Sequence, residues 1–300
     1  MPQPKPTSIR PDAVREVLPD KSSLRLTPLS DKAFARLRSL VYEFCGINLT
    51  EQKRSLVVGR LNKLIKSLGF ADFETYCDYL EKDKSGAAVA ELVNRISTNH
   101  TFFYREKAHF DFFSQTALPQ FEALLKQTGS KDLRIWCAGC STGEEPYMLV
   151  MLMMEYFGRS YANWDAGLLA TDISSKALNT AIAGVYPEER LAQLPASFRN
   201  KYFTKRGQDW AVAENVKREV TFRRFNLMND RFPFKKPFHA IFCRNVMIYF
   251  DRPTREALVD RFYRHTLPGG YLFIGHSESL GRERCPYDYV LPALYRRTPA

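Results

Sequence analysis

Ser141, Thr142, Glu144, Asp172, Asn226, Arg244 and Asn245 are the polar residues whose placement could do chemistry together. Each stands just past a short apolar run or at the start of a helical one, where an open α/β sheet gathers its ligand-binding groups. The densest stretch is Leu133–Tyr147, LRIWCAGCSTGEEPY. Its small-residue turn, Ala138 to Gly143, lets a ligand approach the backbone closely. Glu144 and Glu145 then open a helix. A helix N-terminus attracts anions, and two acids there repel a pyrophosphate. They suit a ligand with hydroxyls and a positive charge. S-adenosylmethionine, with a ribose, an ammonium and a sulfonium, has both. Asp172, ending the next apolar run, suits a ribose diol. The turn also lacks the three-glycine spacing of a dinucleotide fingerprint.

The elements that must position these groups follow from periodicity. Leu133–Cys137 reads as a buried strand and Met148–Phe157 as the body of the helix after the turn. Ala166–Ile173 is a second strand, with Ser174 or Ser175 capping a helix that Gly184 ends. Val220–Asn226 and His239–Asn245 are a third and a fourth. Thr254–His265 is a helix. Gly269-Gly270 starts a fifth strand, Tyr271–Gly275, and Tyr289–Arg296 is a final one. Residues 196–222 are charged and irregular, an insertion with one or two short antiparallel strands. The fold class is a doubly wound, mostly parallel α/β sheet.

Ahead of the sheet, Ser30 or Asp31 caps a helix ended by Gly46, and Thr50 caps a second that stops at Gly69. Two more carry Phe73, Tyr76, Leu80 and Val89, Leu92, Val93, Ile96. Residues 30–97 therefore read as an all-α domain. Lys53, Arg54, Arg60, Lys63 and Lys66 give its second helix a basic face, either a solvated surface or a dock for an acidic partner. Ser97–Glu106, STNHTFFYRE, leads into an amphipathic helix with Phe110, Phe113, Leu118 and Phe121. Residues 1–29, with six prolines, read as a disordered tail, with a short helix at Asp12–Leu18 allowed within it.

A chain of 300 residues with 45% apolar content supports two domains. No run of 18 apolar residues and no secretory leader occurs, so a cytoplasmic protein is expected. The six cysteines form no disulfide framework. Cys137-x-x-Cys140 lacks a second pair at metal spacing, so packing is the expectation and no metal. The net charge of +11 points to an acidic partner: nucleic acid, an anionic membrane or an acidic protein.

These motifs resemble the CheR-type chemotaxis receptor glutamate O-methyltransferases. STNHTFFYRE, WCAGCSTGEEPY, ATDIS, FNLM, FCRNVMIYF and GHSES match in the family's order, and GINLTEQKRSLVVGRLNKLI is similar to its N-terminal domain. The resemblance covers residues 30–298. It implies a Rossmann-like class I methyltransferase sheet with a small β insertion (about 196–222) within residues 98–300, behind the all-α domain. It implies S-adenosylmethionine as donor, S-adenosylhomocysteine as product, and glutamate carboxylates of chemoreceptors as acceptors. By position, Asn99, Thr101 and Arg105 line the donor pocket from the helical side. Ala138 starts the loop, and Glu144 or Glu145 faces the methionine part. Asp172 holds the ribose, Asn226 and Leu227 lie at the adenine, and Cys243, Arg244 and Asn245 are close by. Arg105 and Tyr249 stand near the transferred methyl as the catalytic pair. The family's basic residue before a Tyr-Phe pair in the insertion corresponds to Lys201. Some members tether a receptor's C-terminal peptide through that insertion.

The chemistry agrees with the residue types. A carboxylate acceptor is ionised at neutral pH and needs no general base. The remaining task is orientation, which an arginine can perform on a carboxylate. His276 is then a loop-fixing residue. The alternatives are a nucleic-acid methyltransferase, against which the absence of a Pro-Pro-aromatic motif in CRNVMIY speaks, and a non-catalytic donor-binding module, against which Arg105, Asp172 and Tyr249 speak. A monomer without nucleic-acid partner or membrane insertion is expected.

Overall fold

The structure, a computed structural model, describes residues 28–97, 99–281 and 285–299. Most of the expected tail and its short helix lie outside them.

Four helices form the first unit: α1 (Asp31–Cys45), α2 (Arg54–Ser67), α3 (Phe73–Lys82) and α4 (Ala87–Ile96). Ser30 caps α1 by accepting from the amide of Ala33, and Gly46 ends it at φ +71. Thr50 does not cap α2: the chain makes a 3-10 turn over Glu51–Lys53 first, and the Thr50 side chain bonds nothing there. Phe34, Leu37, Leu61, Ile65, Phe73 and Leu92 meet in a core of their own.

Part of the basic face of α2 is engaged within the protein. Arg54 pairs with Asp31 and Glu51. Arg60 donates to the carbonyls of Ile96 and Ser97. Lys63 and Lys66 remain exposed.

After the loop 97–106, α5 (Lys107–Phe112) runs through a π turn over Phe113–Ala117 into α6 (Leu118–Gln127). Then come β1 (Ile135–Ala138), α7 (Glu144–Phe157), β2 (Leu168–Asp172), α8 (Ser175–Ala183), β3 (Val185–Pro187), α9 (Ala196–Tyr202), β4 (Phe203–Arg206), β5 (Asp209–Val212), α10 (Glu214–Lys217), β6 (Val220–Arg224), β7 (Phe238–Cys243), α11 (Arg252–His265), β8 (Thr266–Ile274), β9 (Asp288–Leu291) and β10 (Leu294–Arg296). The main sheet has the order β6-β2-β1-β7-β8-β10-β9. Its first five strands are mutually parallel, and β8, β10 and β9 pair antiparallel. The chain winds from β1 outward through β2, then returns to β7 on the other side of β1. The reversal opens a crevice beside β1.

Three elements differ from the sequence reading. The last segment is a hairpin, β9 and β10, turned at Ala293, which takes φ +62 without the glycine or asparagine that marks such turns. β8 begins at Thr266, ahead of Gly269-Gly270. A Cβ on Gly270 would lie 2.8 Å from the His239 carbonyl oxygen, and the β7–β8 register shifts there, so the glycine sits at an irregularity inside the strand. The insertion's antiparallel sheet has three strands, β3-β5-β4, because Val185–Pro187 joins it. No helix among the described residues is long and apolar enough to cross a membrane.

Candidate active site

A cleft, open at its mouth, lies at the carboxyl ends of β1, β2 and β7 and is covered by the helical unit. Its floor is the turn after β1. Gly139, Ser141 and Gly143 take φ +92, +49 and +99. The amides of Gly139 and Cys140 both donate to the carbonyl of Thr171, at 2.8 and 2.9 Å, which lashes the turn to β2. A Cβ on Gly139 would stand 2.4 Å from Val246 Cγ2, so only glycine lets the loop after β7 cross here.

Asp172 ends β2 in this floor. Its Oδ2 accepts from the Ser141 amide and its Oδ1 from the Ser174 amide, each at 2.8 Å. Burial raises its pKa against those hydrogen bonds. Two backbone donors thus fix the carboxylate in one orientation at the cleft surface, with lone pairs left for hydroxyl donors.

The two glutamates of α7 separate. Glu144 is fully buried, away from the cleft. It meets Arg190 at 3.2 Å and accepts from the Thr142 hydroxyl at 2.7 Å, and burial raises its pKa. Arg190 also donates to the Thr101 carbonyl, tying the loop before α5 to this pair. Glu145 is the one in the cleft. It accepts from the Cys137 thiol at 3.0 Å and from Arg244.

Arg244, almost wholly buried, bridges Glu145 and Glu106 and donates to the carbonyl of Arg105. Burial alone would raise the Glu106 carboxyl, but the charge of Arg244 and the hydrogen bonds from Asn245 and Arg244 hold it below the usual range. Glu106 also receives the His276 amide. That loop is therefore fixed through its backbone, while the His276 ring packs 4.6 Å from His109.

The helical unit supplies the remaining wall through Ile47, Leu49, Lys53, Leu56 and Ile96. Asn226 joins the units: its Nδ2 donates to the Phe44 carbonyl, and its Oδ1 accepts from the Met228 amide at 3.0 Å. Arg105 donates to the His100 carbonyl at 2.8 Å, and the Lys53 ammonium stands 4.9 Å over the Tyr249 ring.

Of the residues singled out in sequence, Asn99, Thr101, Arg105, Glu145, Asp172, Asn226, Leu227, Arg244, Asn245 and Tyr249 line this cleft together. Ala138, Cys243 and Glu144 do not. Ala138 and Cys243 are strand residues with side chains turned into the packing between sheet and α11. Lys201 lies elsewhere, exposed and 2.7 Å from Glu155. Cys137 and Cys140 are buried free thiols, as the packing reading has it. The sequence reading missed Lys53 as a cleft residue, because only the docking of two units turns it inward. It also missed Glu106 and Glu278, each a member of a quoted motif but with partners far away in sequence.

Donor set and shape suit S-adenosylmethionine: a glycine turn held open at positive φ, a preoriented carboxylate for a diol, and an acid wall for a cation. Residues 99–290 match the family described as CheR methyltransferase, SAM binding domain, and residues 32–97 match CheR methyltransferase, all-alpha domain. A chemotaxis protein methyltransferase of Borreliella burgdorferi is 42% identical over 279 residues, covering 93% of this chain and 98% of that one. A probable chemotaxis protein methyltransferase of Rhizobium etli is 38% identical, covering 86% and 97%. The Escherichia coli chemotaxis protein methyltransferase is 35% identical, covering 84% and 85%. With both units matched in order and the relatives spanned almost end to end, the chain belongs to the CheR methyltransferase family and is an S-adenosylmethionine-dependent methyltransferase of chemotaxis.

Proposed function

We propose that this enzyme methylates glutamate side-chain carboxylates of chemoreceptors, giving glutamyl methyl esters. The observation that carries the reading is the division of charge in the cleft. Asp172 and Glu145 lie at the sheet side together with Arg244, whose charge is matched by Glu145 and Glu106, and Arg105 and Lys53 lie at the helical side. A cationic donor and an anionic acceptor need that polarity.

Asp172 accepts from the ribose hydroxyls, and Glu145, steadied by Arg244, faces the methionine part. Asn99, Thr101, Arg105 and Asn245 complete the donor's surroundings, and Leu227 borders the adenine with Asn226 behind it. Asn226 acts chiefly by holding the wall, since both ends of its amide are engaged within the protein. When bound, the donor supplies a methyl group on a sulfonium that leaves as a neutral thioether, so no proton has to be moved. Arg105 holds the acceptor carboxylate and Tyr249 orients it, keeping reacting atoms within about 3–3.5 Å.

Residues 30–97 dock the receptor's helical cytoplasmic domain, with Lys63 and Lys66 as the exposed cations of α2. The three-stranded insertion is where a receptor C-terminal peptide would be tested. The protein works as a cytoplasmic monomer.

A filter assay with methyl-labelled donor and receptor-rich membranes tests this. Base-labile label on the receptor is the expected result. Label on nucleic acid, base-stable label on protein, or none, overturns it.

A further inference from the structure

Glu278, in GHSES after β8, is nearly fully buried at 7% exposure. Its carboxylate faces backbone amides. Oε2 accepts from Asn245 N at 2.9 Å and from Gly275 N, and Oε1 accepts from Ile248 N at 3.0 Å. Its own amide donates to the Gly275 carbonyl at 2.8 Å, closing a tight turn. Both oxygens are thus acceptors, the arrangement an ionised carboxylate fills best; burial raises this carboxyl's pKa and the backbone hydrogen bonds pull it back down.

The segment so held is 244–249, the loop after β7. Asn245 takes φ +58, a left-handed conformation that asparagine tolerates better than most side chains. Gly275 leaves the space: a Cβ there would lie 2.8 Å from Asn245 N and closer still to its side-chain amide. Val246 crosses the glycine turn, and Tyr249 closes a 3-10 turn with its amide on the Val246 carbonyl at 3.2 Å. The two amides that Glu278 takes from this loop bracket Val246 and Met247. One buried carboxylate at the neighbouring strand's end therefore sets where Asn245 and Tyr249 project.

We infer that Glu278 is a positioning residue for methyl transfer, an ionised clamp that fixes the 244–249 loop and through it the Tyr249 side chain. The inference rests on the reading of Tyr249 as the residue that orients the acceptor.

Glu278→Gln is the first test, because it keeps the shape and turns an amide –NH2 toward at least one backbone N–H. In the full-length protein, the amides of Asn245 and Ile248 should exchange hydrogen at least tenfold faster, with the β1 and β2 amides unchanged. The kcat for receptor methylation should fall 10- to 100-fold, with acceptor KM changed less than threefold. Glu278→Asp, which keeps the charge at shorter reach, should recover part of both and serves if the Gln variant does not fold. Tyr249→Phe combined with Glu278→Gln should lose no more than the worse single variant, because the second change acts through a residue already removed. Unchanged exchange at Asn245 and Ile248, wild-type kcat, or losses that multiply in the double variant would each overturn the inference. If the wild-type protein makes no methyl ester, the functional reading fails, and the exchange measurement alone decides whether Glu278 clamps the loop.

Discussion

The backbone amide of Asn48 donates to the carbonyl oxygen of Tyr249 at 2.8 Å. One residue belongs to the helical unit, the other to the loop after β7. Tyr249, the residue proposed to orient the acceptor, is therefore fixed in part by the other unit. Tyr42 adds a second tie, its hydroxyl donating to Asp251 at 2.9 Å, just after that loop.

Asn226→Asp should loosen this junction. It keeps an acceptor for Met228 N but sets a carboxylate against the Phe44 carbonyl. Losing this part-buried hydrogen bond and leaving its partner unsatisfied costs about 1 kcal/mol, the low end of the range for buried groups. Urea unfolding followed by circular dichroism should show that loss, with weaker product binding. Equal midpoints for variant and parent would refute the role.

Asp172→Ala should weaken S-adenosylhomocysteine binding by roughly 10- to 100-fold, the value of hydrogen bonds to a charged acceptor. Calorimetric titration measures it. Affinity within twofold of the parent would remove Asp172 from the ribose site.

Arg105→Ala should reduce turnover at least about 100-fold, as expected when a positioned charge on a reacting group is lost. The far-UV spectrum should be unchanged, because among the described residues the side chain makes one hydrogen bond, to the His100 carbonyl, and one long ion-pair contact, with Glu106 at 4.0 Å. A folded variant with near-full methyl-ester formation would sink the assignment.

Arg190→Met leaves the Glu144 carboxylate buried without its cation. Breaking such a pair from one side costs about 3–5 kcal/mol. Adding Glu144→Gln should return much of that stability. A single variant as stable as the parent would show that Arg190 does not neutralise Glu144.

Stability should fall on mild acidification because of two buried histidines. Burial pushes His109 and His239 down to about 4, with the charges of Arg244 and Arg134 next in effect. His239 Nδ1 also accepts from the Arg134 amide at 3.1 Å. The unfolded chain then binds protons from about pH 6.5 downward that the folded chain refuses. Stability is therefore full above pH 6.5 and lost between there and pH 4, by up to about 3 kcal/mol per histidine. Chemical denaturation from pH 7.5 to 5 should show the slope, and His239→Gln should flatten it. A slope unchanged in that variant would assign the effect to other groups.

Much of the site is legible in the sequence because it lies in unbroken local stretches. Gly139 to Tyr147 and Asp172 declare a turn and a strand end, and the spacing places them in one crevice. What stays hidden depends on contacts between distant segments. Glu144 and Glu145 are adjacent, and only the arrival of Arg190 and Arg244 from elsewhere in the chain decides which faces the cleft. Lys53 reads as one more cation on a basic helix until the units dock. The β9–β10 turn carries no turn-forming residue at Ala293, so two strands read as one. Ala138 and Cys243 adjoin true cleft residues in sequence, but the alternation of a strand points them the other way.

The helical unit lends the cleft Ile47, Leu49, Lys53 and Leu56, and takes hold of Asn226 and Tyr249 in return. This reciprocity restricts how the two halves could be inherited or recombined. A hybrid that joined the helices of one relative to the sheet of another would have to carry matching partners at both ends of each tie. Exchanging the first unit alone would thus also alter the walls of the cleft. Engineering that leaves methylation intact would have to move the boundary residues as a set.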